Sequence, residues 1–329
     1  MTTKERILAA LDEARGGFLS GEELSERLGI TRAAVWKAIK VLQGEGYSID
    51  AVTNRGYSLS ENADILSEAC IEGLLKAELP ITLDVRREVT STNTLLKELA
   101  ASGAPEGTVL VAGSQTLGRG RVGRSFFSPP GSGLYISILL RPEFDMEEAA
   151  MLTTAAAAAT AMACERLSGR ETGIKWVNDV WLGSKKLSGI LTEASVSVEN
   201  GGLDYVIVGI GVNVYEPEGG FPEELGSVAA ALFPAGADIK NARSRLAAEI
   251  LNIFTHFYAH MASREYFAEY KKRLFILGKD IVILRGGDAI PAKALDIDND
   301  CHLLVRYPDG RQEYLSSGEI SIRPALTEE

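Results

Sequence analysis

Cysteine and histidine are scarce in this chain, whose 329 residues include three of each. Cys70, Cys164 and Cys301 lie far apart, and no pair has the spacing of a metal or redox site, so we predict reduced thiols. His256 and His260 stand four residues apart, but the sequence places no third ligand beside them, which favours solvated or packed side chains. We therefore predict no metal site built from protein side chains alone.

Long apolar runs are also missing. Ala149–Cys164, which no uncharged stretch of the chain exceeds in length, consists mostly of alanine and threonine and is shorter than the ~20 apolar residues that a membrane-spanning helix needs. Charged side chains interrupt the apolar positions of Met1–Ala14, which excludes a signal-peptide core. We expect a cytoplasmic protein with no membrane partner.

The chain as a whole lacks an excess of positive charge, since its formal net charge is -11. Hydrophobic residues make up 46% and charged residues 24%, which is enough for full-sized cores and excludes global disorder. At roughly 150 residues per domain, the length predicts two or three domains. The charge is uneven, because Thr31–Gln43 contains three basic residues and no acidic one. A nucleic-acid contact is therefore favoured at this segment.

This basic segment has the pattern of a helix with one buried face. Apolar residues recur at helical spacing from Val35 to Leu42, and Thr31 can cap the helix. A shorter predicted helix ends at Gly29, and Tyr47–Leu59 predicts a hairpin, so residues 1–62 are interpreted as a winged helix-turn-helix domain. The alternative is a small helical subdomain that only packs on its neighbour. The predicted DNA contacts are Thr31, Arg32, Trp36, Lys37, Lys40 and Arg55.

The rest of the chain predicts two further domains, which makes the protein a multidomain α+β chain. In residues 63–276, hairpin signals at Gly183–Ser184 and Asn200–Gly202 separate strand-like runs, so a mixed or antiparallel sheet with helices is predicted rather than a doubly wound parallel sheet. A long helix with an alanine face and a capping box is predicted after Asp145. Short strands between Ile281 and Arg323, with turn signals that include Gly286–Gly287, predict a small barrel in residues 277–329.

The segment Gly118–Ser125 reads Gly-Arg-Gly-Arg-Val-Gly-Arg-Ser. It matches a dinucleotide-binding pattern and nearly matches a P-loop, but both need a following helix, and Phe126–Gly131 leads into a strand instead. Three arginines repel one another until anions neutralise them, so we expect a mobile loop that grips a ligand with several negative charges. The alternatives are a solvated basic loop and a second DNA contact.

Two further segments flank one predicted hairpin. Lys175–Asp179 and Lys185–Gly189 can aim lysines and a carboxylate at a common point, although a surface turn with paired charges gives the same pattern. Gly209 and Gly211 lie inside a buried strand, where glycine costs stability unless something lies against the backbone. A flat ligand would account for them.

These motifs resemble those of the bifunctional biotin-protein ligases and biotin-operon repressors. The four that carry the resemblance, in order, are Gly118–Arg124, Lys175–Asp179, Lys186–Gly189 and Gly209–Asn213. The segments Ser20–Leu24 and Thr31–Val35 are similar to the repressor-type members, and Gly318–Arg323 looks like the family's C-terminal barrel. Val177 stands where many members have proline, and Phe126 where many have a tryptophan near adenine.

The resemblance implies a class II synthetase-like catalytic fold, an SH3-like C-terminal barrel and a two-step reaction. Biotin and MgATP give biotinyl-5'-AMP and pyrophosphate, and a lysine of a biotin carboxyl carrier protein then attacks the activated carbonyl. The implied biotin-binding residues are Ser91, Thr92, Asn93, Gln115, Gly118, Arg119, Gly120, Arg121, Lys186, Gly189, Gly209 and Gly211, with Arg121 and Lys186 catalytic. The implied ATP and Mg²⁺ side comprises Arg124, Lys175, Asn178, Asp179, Asn213 and Arg323. Ser91 or Thr92 is also expected to cap the helix that follows.

The resemblance also implies regulation. Biotinyl-5'-AMP would favour a homodimer that binds operator DNA of biotin-synthesis genes, and the carrier protein would compete for the dimer surface. Two other functions stay open at this point. One is a transcription factor whose middle domain only senses a small anion, and the other is a lipoate-type transferase.

Overall fold

Three helices and a hairpin form the N-terminal part of the computed structural model, which describes residues 2–44, 47–61, 63–143, 146–196, 202–285, 288–316 and 321–324. The elements are helices α1 (Thr3–Glu13), α2 (Gly21–Leu28) and α3 (Arg32–Gly44) and strands β1 (Ile49–Val52) and β2 (Gly56–Leu59). A capping box between Ser20 and Glu23 starts α2, and Gly29 ends it with a φ of 64°. The predicted helix-turn-helix with an antiparallel wing is confirmed.

The apolar stripe of α3 explains the packing of this unit. Val35, Ala38, Ile39 and Leu42 are its buried residues, as the helical spacing predicts. They join a core with α1, α2 and the hairpin that is separate from the larger core of the chain. The basic side chains of α3 consequently lie on its outer face.

A seven-stranded mixed sheet forms the centre of the molecule, in the order β3-β4-β5-β9-β8-β7-β6. Its strands are β3 (Thr82–Arg86), β4 (Thr108–Ala112), β5 (Gly133–Leu140), β6 (Gly173–Lys175), β7 (Asp179–Leu182), β8 (Lys185–Val196) and β9 (Leu203–Asn213). Of the neighbouring strands in this order, β3 and β4 pair in parallel and the others pair antiparallel. The predicted mixed sheet is confirmed, with the Gly183–Ser184 turn joining β7 to β8; Asn200 and Gly201 lie outside the described residues.

Helices cover this sheet and complete its core. They are α4 (Glu68–Glu72), α5 (Thr92–Ala101), α6 (Met146–Ser168), α7 (Glu223–Gly226), α8 (Ala242–Ala259) and α9 (Glu265–Arg273). The alanines from Ala155 to Ala159 are fully buried, so α6 packs closely against its neighbours, as its alanine face predicts. The predicted cap at Asp145 lies outside the described residues. No helix in the described ranges is long and apolar enough to cross a membrane.

Five antiparallel strands make up the C-terminal part, in the order β13-β12-β11-β10-β14. They are β10 (Asp280–Arg285), β11 (Asp288–Ile297), β12 (Leu303–Arg306), β13 (Gln312–Leu315) and β14 (Ser321–Pro324), which confirms the predicted run of short strands. Their apolar residues continue the central core, and the Trp176 indole N–H donates to the carbonyl of Cys301 at 2.8 Å. The predicted turn at Gly286–Gly287 and the motif residues 318–320 lie outside the described residues.

The N-terminal unit is tied to the central region by polar contacts. Arg15 Nη2 donates to Asn241 Oδ1 at 2.9 Å, and Ser60 Oγ donates to Asp238 Oδ2 at 2.6 Å. Beside them, Arg243 Nε lies 2.6 Å from Asp64 Oδ2, and both side chains are about 90% buried. Burial alone would lower the pKa of Arg243, but the carboxylate of Asp64 outweighs it and raises that pKa.

Candidate functional site

The candidate site is a cleft over the central strands β8 and β9. In their antiparallel register Gly189 lies opposite Gly211, and Leu191 lies opposite Gly209, so the glycines leave space above the sheet. The start of α5 and the glycine-arginine loop (residues 118–125) supply the other walls. The lining residues are Ser91, Thr92, Asn93, Gln115, Arg119, Phe126, Tyr135, Gly189, Leu191, Gly209, Ile210 and Gly211.

Gln115 joins the start of α5 to the segment that follows the loop. Its Oε1 accepts from the backbone N–H of Thr92 at 2.9 Å and from Thr92 Oγ1 at 3.2 Å, while its Nε2 donates to Ser128 Oγ at 3.2 Å. Ser91 is the N-cap residue but forms no side-chain capping bond, so the expected side-chain cap is wrong. The physical reason is that Gln115 supplies an acceptor at this helix end.

Asn93 is fixed by hydrogen bonds at both ends of its carboxamide. Its Oδ1 accepts from Ser137 Oγ at 2.6 Å, and its Nδ2 donates to the Leu191 carbonyl at 3.2 Å and to Glu193 Oε2 at 2.9 Å. The side chain is buried. These bonds distinguish the oxygen from the nitrogen and so give this wall of the cleft a defined donor and acceptor pattern.

Side chains lie close above two glycines of β9. A Cβ on Gly209 would sit 2.2 Å from Asn93 Oδ1, and one on Gly211 would sit 3.0 Å from the ring of Phe126. The Phe126 ring thus lies against the strand that the sequence predicts to accommodate a flat group. It also packs edge-on to Tyr135, whose phenol pKa is raised by burial.

The glycine-arginine loop folds back on itself. The N–H of Gly120 donates to the carbonyl of Arg124 at 2.7 Å, and the N–H of Phe126 donates to that of Gly118 at 3.0 Å. A Cβ on Gly118 would meet the Phe126 carbonyl at 2.3 Å, so only glycine fits there. Arg119 and Ser125 form a bridge across this turn.

Two arginines of the loop contact side chains of the protein itself. Arg119 pairs with Glu193 at 3.2 Å, and Arg121 Nη1 donates to Asn178 Oδ1 at 3.0 Å. Burial lowers the pKa of Arg121, and the charge of Asp179 opposes that effect. Protein side chains thus contact Arg119 and Arg121, and the expected mobility of the loop stays a prediction. Arg124 is exposed.

The β7–β8 hairpin brings its predicted charges to one point. Lys186 Nζ lies 2.6 Å from Asp179 Oδ1. A Cβ on Gly189 would lie 3.0 Å from that same Nζ, so the ion pair adjoins the glycine floor of the cleft. Together with Arg121 and Asn178, this pair places two cations and a carboxylate beside the lining residues.

Comparison with known proteins identifies the family. The bifunctional ligase/repressor BirA of Bacillus spizizenii is 34% identical over 325 residues, which cover 96% of this chain and 98% of that protein. The chain belongs to the family of biotin protein ligases. The BirA protein of Salmonella typhimurium, also a bifunctional ligase/repressor, is 31% identical over 95% of both chains.

Domain and structure matches agree with this family. The model of the biotin/lipoate A/B protein ligase family matches residues 85–213, an HTH domain model matches residues 3–58, and the biotin protein ligase C terminal domain model matches residues 276–323. A solved biotin protein ligase from Aquifex aeolicus, in complex with biotin and ATP, superposes with a TM-score of 0.61 at 29% identity and covers 74% of this chain and 99% of that one. The chain is thus a ligase with an added helix-turn-helix domain, as the resemblance implies.

The structure separates the site residues predicted for this ligase into three sets. The residues of the cleft are Ser91, Thr92, Asn93, Gln115, Arg119, Gly189, Gly209 and Gly211, with Gly118 and Gly120 in the loop above. The adjacent charged set is Arg121, Asn178, Asp179 and Lys186. Lys175, Asn213 and Arg124 are not among the lining residues: Lys175 stands 5.3 Å from the Trp181 ring, and Asn213 Nδ2 donates to the Ala230 carbonyl at 3.0 Å. Arg323 lies on β14 opposite Val282, and its side chain lies outside the described part.

Sequence reasoning missed Glu193. It lies on β8, two residues beyond Leu191 and four beyond Gly189, so the alternation of a strand places all three on one face. Counting every second residue along β8 from Gly189, a predicted site residue, would have identified Glu193 from the sequence. Its contacts to Asn93 and Arg119 join the wall of the cleft to the loop.

The predicted DNA contacts lie on an exposed face of the ligase's helix-turn-helix. Thr31 Oγ1 accepts from the N–H of Ala34 at 3.2 Å and so caps α3. Trp36 is 57% exposed, and Arg32, Lys37 and Lys40 are exposed as well. Arg55, in the turn of the wing, lies 4.0 Å above the ring of Phe18.

His256, on α8, and His260, which follows the last residue of α8, share a partner that is distant in sequence. His256 Nδ1 lies 2.7 Å from Glu78 Oε1, and its Nε2 lies 3.1 Å from Glu265 Oε2. His260 Nδ1 is 3.5 Å from Glu78 Oε2. The hydrogen bond of Glu78 raises the pKa of His256. Glu78, His256 and His260 bring together side chains of the types that bind metals, a grouping that the sequence does not reveal. The carboxylates of Glu78 and Glu265 also explain this grouping as an ion network with the histidines.

Proposed function

We propose that this protein joins biotin to a lysine of a biotin carboxyl carrier protein, using ATP and passing through biotinyl-5'-AMP. The observation that carries the proposal is the direct junction of the polar cleft with the Arg121 and Lys186 cations at Gly189. The family supports the same activity, since relatives bear ligase names and the Aquifex aeolicus neighbour holds biotin and ATP.

Recognition of the biotin head group needs both donors and acceptors, because its ureido ring carries two N–H groups and one carbonyl. Ser91, Thr92, Asn93 and Gln115 supply hydroxyl and carboxamide groups at one end of the cleft. The backbone of Gly209 and Gly211 gives the rings a flat surface to lie on. In this proposal the Phe126 ring moves aside or covers the ligand, because it lies against Gly211.

The first step forms a bond between a carboxylate oxygen of biotin and the α-phosphorus of ATP, and pyrophosphate leaves. Two anions must approach each other, so fixed cations lower the barrier. Arg119, Arg121 and Lys186 take this role, with Arg121 and Lys186 nearest the reacting atoms. In the second step the carrier lysine amine attacks the biotinyl carbonyl, AMP leaves, and the amine loses a proton.

The nucleotide lies on the side of the charged hairpin in this proposal. Asn178 and Asp179 carry oxygen donors of the kind that Mg²⁺ takes, and Mg²⁺ enters with the ATP phosphates. Lys175, Asn213, Arg124 and Arg323 complete this side as proposed ligands of the nucleotide.

The test combines two activity measurements. Purified protein is incubated with labelled biotin, ATP and a biotin carrier domain, and ligation and pyrophosphate release are followed. Lys186→Ala and Arg121→Ala are expected to reduce both by about 100-fold or more, the scale of losing one fixed charge-stabilising group. Lys185→Ala is the matched control, because the Lys185 ammonium points away and donates to the Gly226 carbonyl at 2.6 Å.

Near-normal biotin-dependent pyrophosphate release in both variants would contradict this site. Ligation of lipoate to a lipoyl domain, without ligation of biotin, would favour the lipoate-type transferase instead. No ligation of either substrate would favour the anion-sensing transcription factor.

We propose repression as the second activity, supported by the exposed, acid-free face of α3 and the repressor names of the relatives. Biotinyl-5'-AMP promotes a homodimer that binds operator DNA upstream of biotin-synthesis genes, and the carrier protein competes for the dimer surface. Replacing both Arg32 and Lys37 by glutamate should weaken binding to the operator DNA duplex. It should also reduce, by about two, the steepness with which the logarithm of the DNA association constant falls with the logarithm of salt concentration. Fluorescence anisotropy measures this, with exposed Lys76→Glu as control. Unchanged affinity would refute the DNA surface.

A further inference from the structure

Glu193 is a half-buried carboxylate where the wall of the cleft meets the glycine-arginine loop. Its side chain is 16% exposed, and it lies on β8 on the same face as Gly189 and Leu191. Such a charge needs partners, because an unpaired buried carboxylate is costly. Three donors from two separate segments, Asn93, Lys97 and Arg119, supply them.

Four contacts from these three residues tie the carboxylate to both the cleft and the loop. Oε2 accepts from Asn93 Nδ2 at 2.9 Å and from Arg119 Nη1 at 3.3 Å. Oε1 accepts from Lys97 Nζ at 2.5 Å and lies 3.2 Å from Arg119 Nη2. The guanidinium therefore spans both oxygens, a fork that fixes direction as well as distance.

We propose that Glu193 is a positioning residue that holds Arg119 over the mouth of the cleft and thereby orders the glycine-arginine loop before substrate binds. The inference deepens the proposed ligase function, because Arg119 is one of the cations assigned to the biotin carboxylate. Lys97 keeps the carboxylate compensated when Arg119 turns to an anionic ligand. Asn93 belongs to the same unit, so head-group recognition and loop position share one anchor.

Glu193→Gln weakens the loop contact and retains the cleft contact. The glutamine oxygen can still accept from Asn93 and from Arg119 Nη1, but its amide group then faces Lys97 Nζ and Arg119 Nη2, where donor meets donor. Lys97→Met is the matched control: it removes the other cation from the same carboxylate and leaves the Arg119 pair in place. Thermal unfolding of both variants checks that the fold is retained.

The first measurement does not depend on activity. Trypsin cleaves after arginine, so nicking of the full chain within residues 119–125 reports how well the loop is held. We expect Glu193→Gln to increase the initial nicking rate about threefold, the scale of one partly exposed ion pair, and Lys97→Met to leave it unchanged. Equal rates for Glu193→Gln and the parent protein, or equal increases in both variants, would overturn the proposal.

The second measurement is a double-mutant cycle on the biotin KM in the adenylation assay. Glu193→Gln should raise the biotin KM about threefold or more with kcat within about twofold, and should add nothing in an Arg119→Gln background. Multiplying effects would show that Glu193 does not act through Arg119 and would overturn the proposal. If the parent protein forms no adenylate from biotin, the proposed function fails, while the trypsin result still decides the role of Glu193.

Discussion

Gly209→Ala tests the packing of the cleft most directly. The new Cβ would lie 2.2 Å from Asn93 Oδ1 and 2.8 Å from its Cγ, distances that atoms in folded proteins do not tolerate. Gly209 lies mid-strand in β9, paired with Ser137 on β5 and Leu191 on β8, so its backbone has little freedom to retreat. The side chain of Asn93 must therefore move.

The expected cost follows from the hydrogen bonds of Asn93. It loses neutral bonds to Ser137 and Leu191 and one bond to the Glu193 carboxylate. At about 1 kcal/mol for each neutral bond and about 1.5 to 3 kcal/mol for the charged one, the network is worth about 3.5 to 5 kcal/mol. Partial relaxation leaves an expected loss of about 2 to 4 kcal/mol in the free energy of unfolding. The biotin KM should rise at least about tenfold, because the displaced carboxamide lines the cleft.

Urea unfolding followed by tryptophan fluorescence measures the loss, and the adenylation assay measures the KM. Gly211→Ala is the matched control on the same strand: its Cβ meets the Phe126 ring at 3.0 Å, a side chain that can shift, so its loss should stay below about 1 kcal/mol. In an Asn93→Ala background, Gly209→Ala should cost almost nothing, since the obstructing atoms are gone. An equal cost in both backgrounds would refute the reasoning.

Two further predictions concern ion pairs outside the cleft. Asp64→Ala leaves the buried Arg243 guanidinium without its carboxylate, so the free energy of unfolding should fall by about 3 to 5 kcal/mol in urea titrations, and a loss below about 1 kcal/mol would argue against a buried pair there. Glu78 and Glu265 raise the pKa of His256 in the folded protein. The protonated histidine therefore stabilises the fold fully at pH values below its unfolded pKa of about 6.5, and this stabilisation is lost as the pH rises through the higher folded pKa. The melting temperature of His256→Gln should accordingly fall further below that of the parent at about pH 6 than at about pH 9. An equal difference at both pH values would show that the histidine charge does not contribute.

Local patterns sufficed for those parts of the fold that depend on neighbours in sequence. The buried stripe of α3 follows from helical spacing, and the β7–β8 hairpin follows from the turn at Gly183–Ser184. The motif residues of the cleft were placed by resemblance, and the structure brings most of them together. The parallel pairing of β3 with β4 had no such signal, because it depends on how separate segments dock.

Long-range polar contacts account for the errors. Ser91 has the side chain of a helix cap, but the acceptor for the Thr92 N–H comes from Gln115, 23 residues beyond Thr92. Glu78 reaches His256 across 178 residues, and no spacing rule relates them. Side chains of this kind find partners only after the elements pack, so sequence identifies their chemistry but not their partner.

The charges around the cleft explain how an acidic chain can build a site for anions. The named cations are Lys97, Arg119, Arg121 and Lys186, and the named carboxylates are Asp179 and Glu193, so four positive charges less two negative charges leave a surplus of two. The carboxylates hold the cations in position without cancelling them, which reduces the reorganisation needed when an anion arrives. Ionic strength should then weaken nucleotide binding less than it weakens DNA binding, because Lys97, Arg121 and Lys186 are partly buried whereas the cations of α3 are exposed.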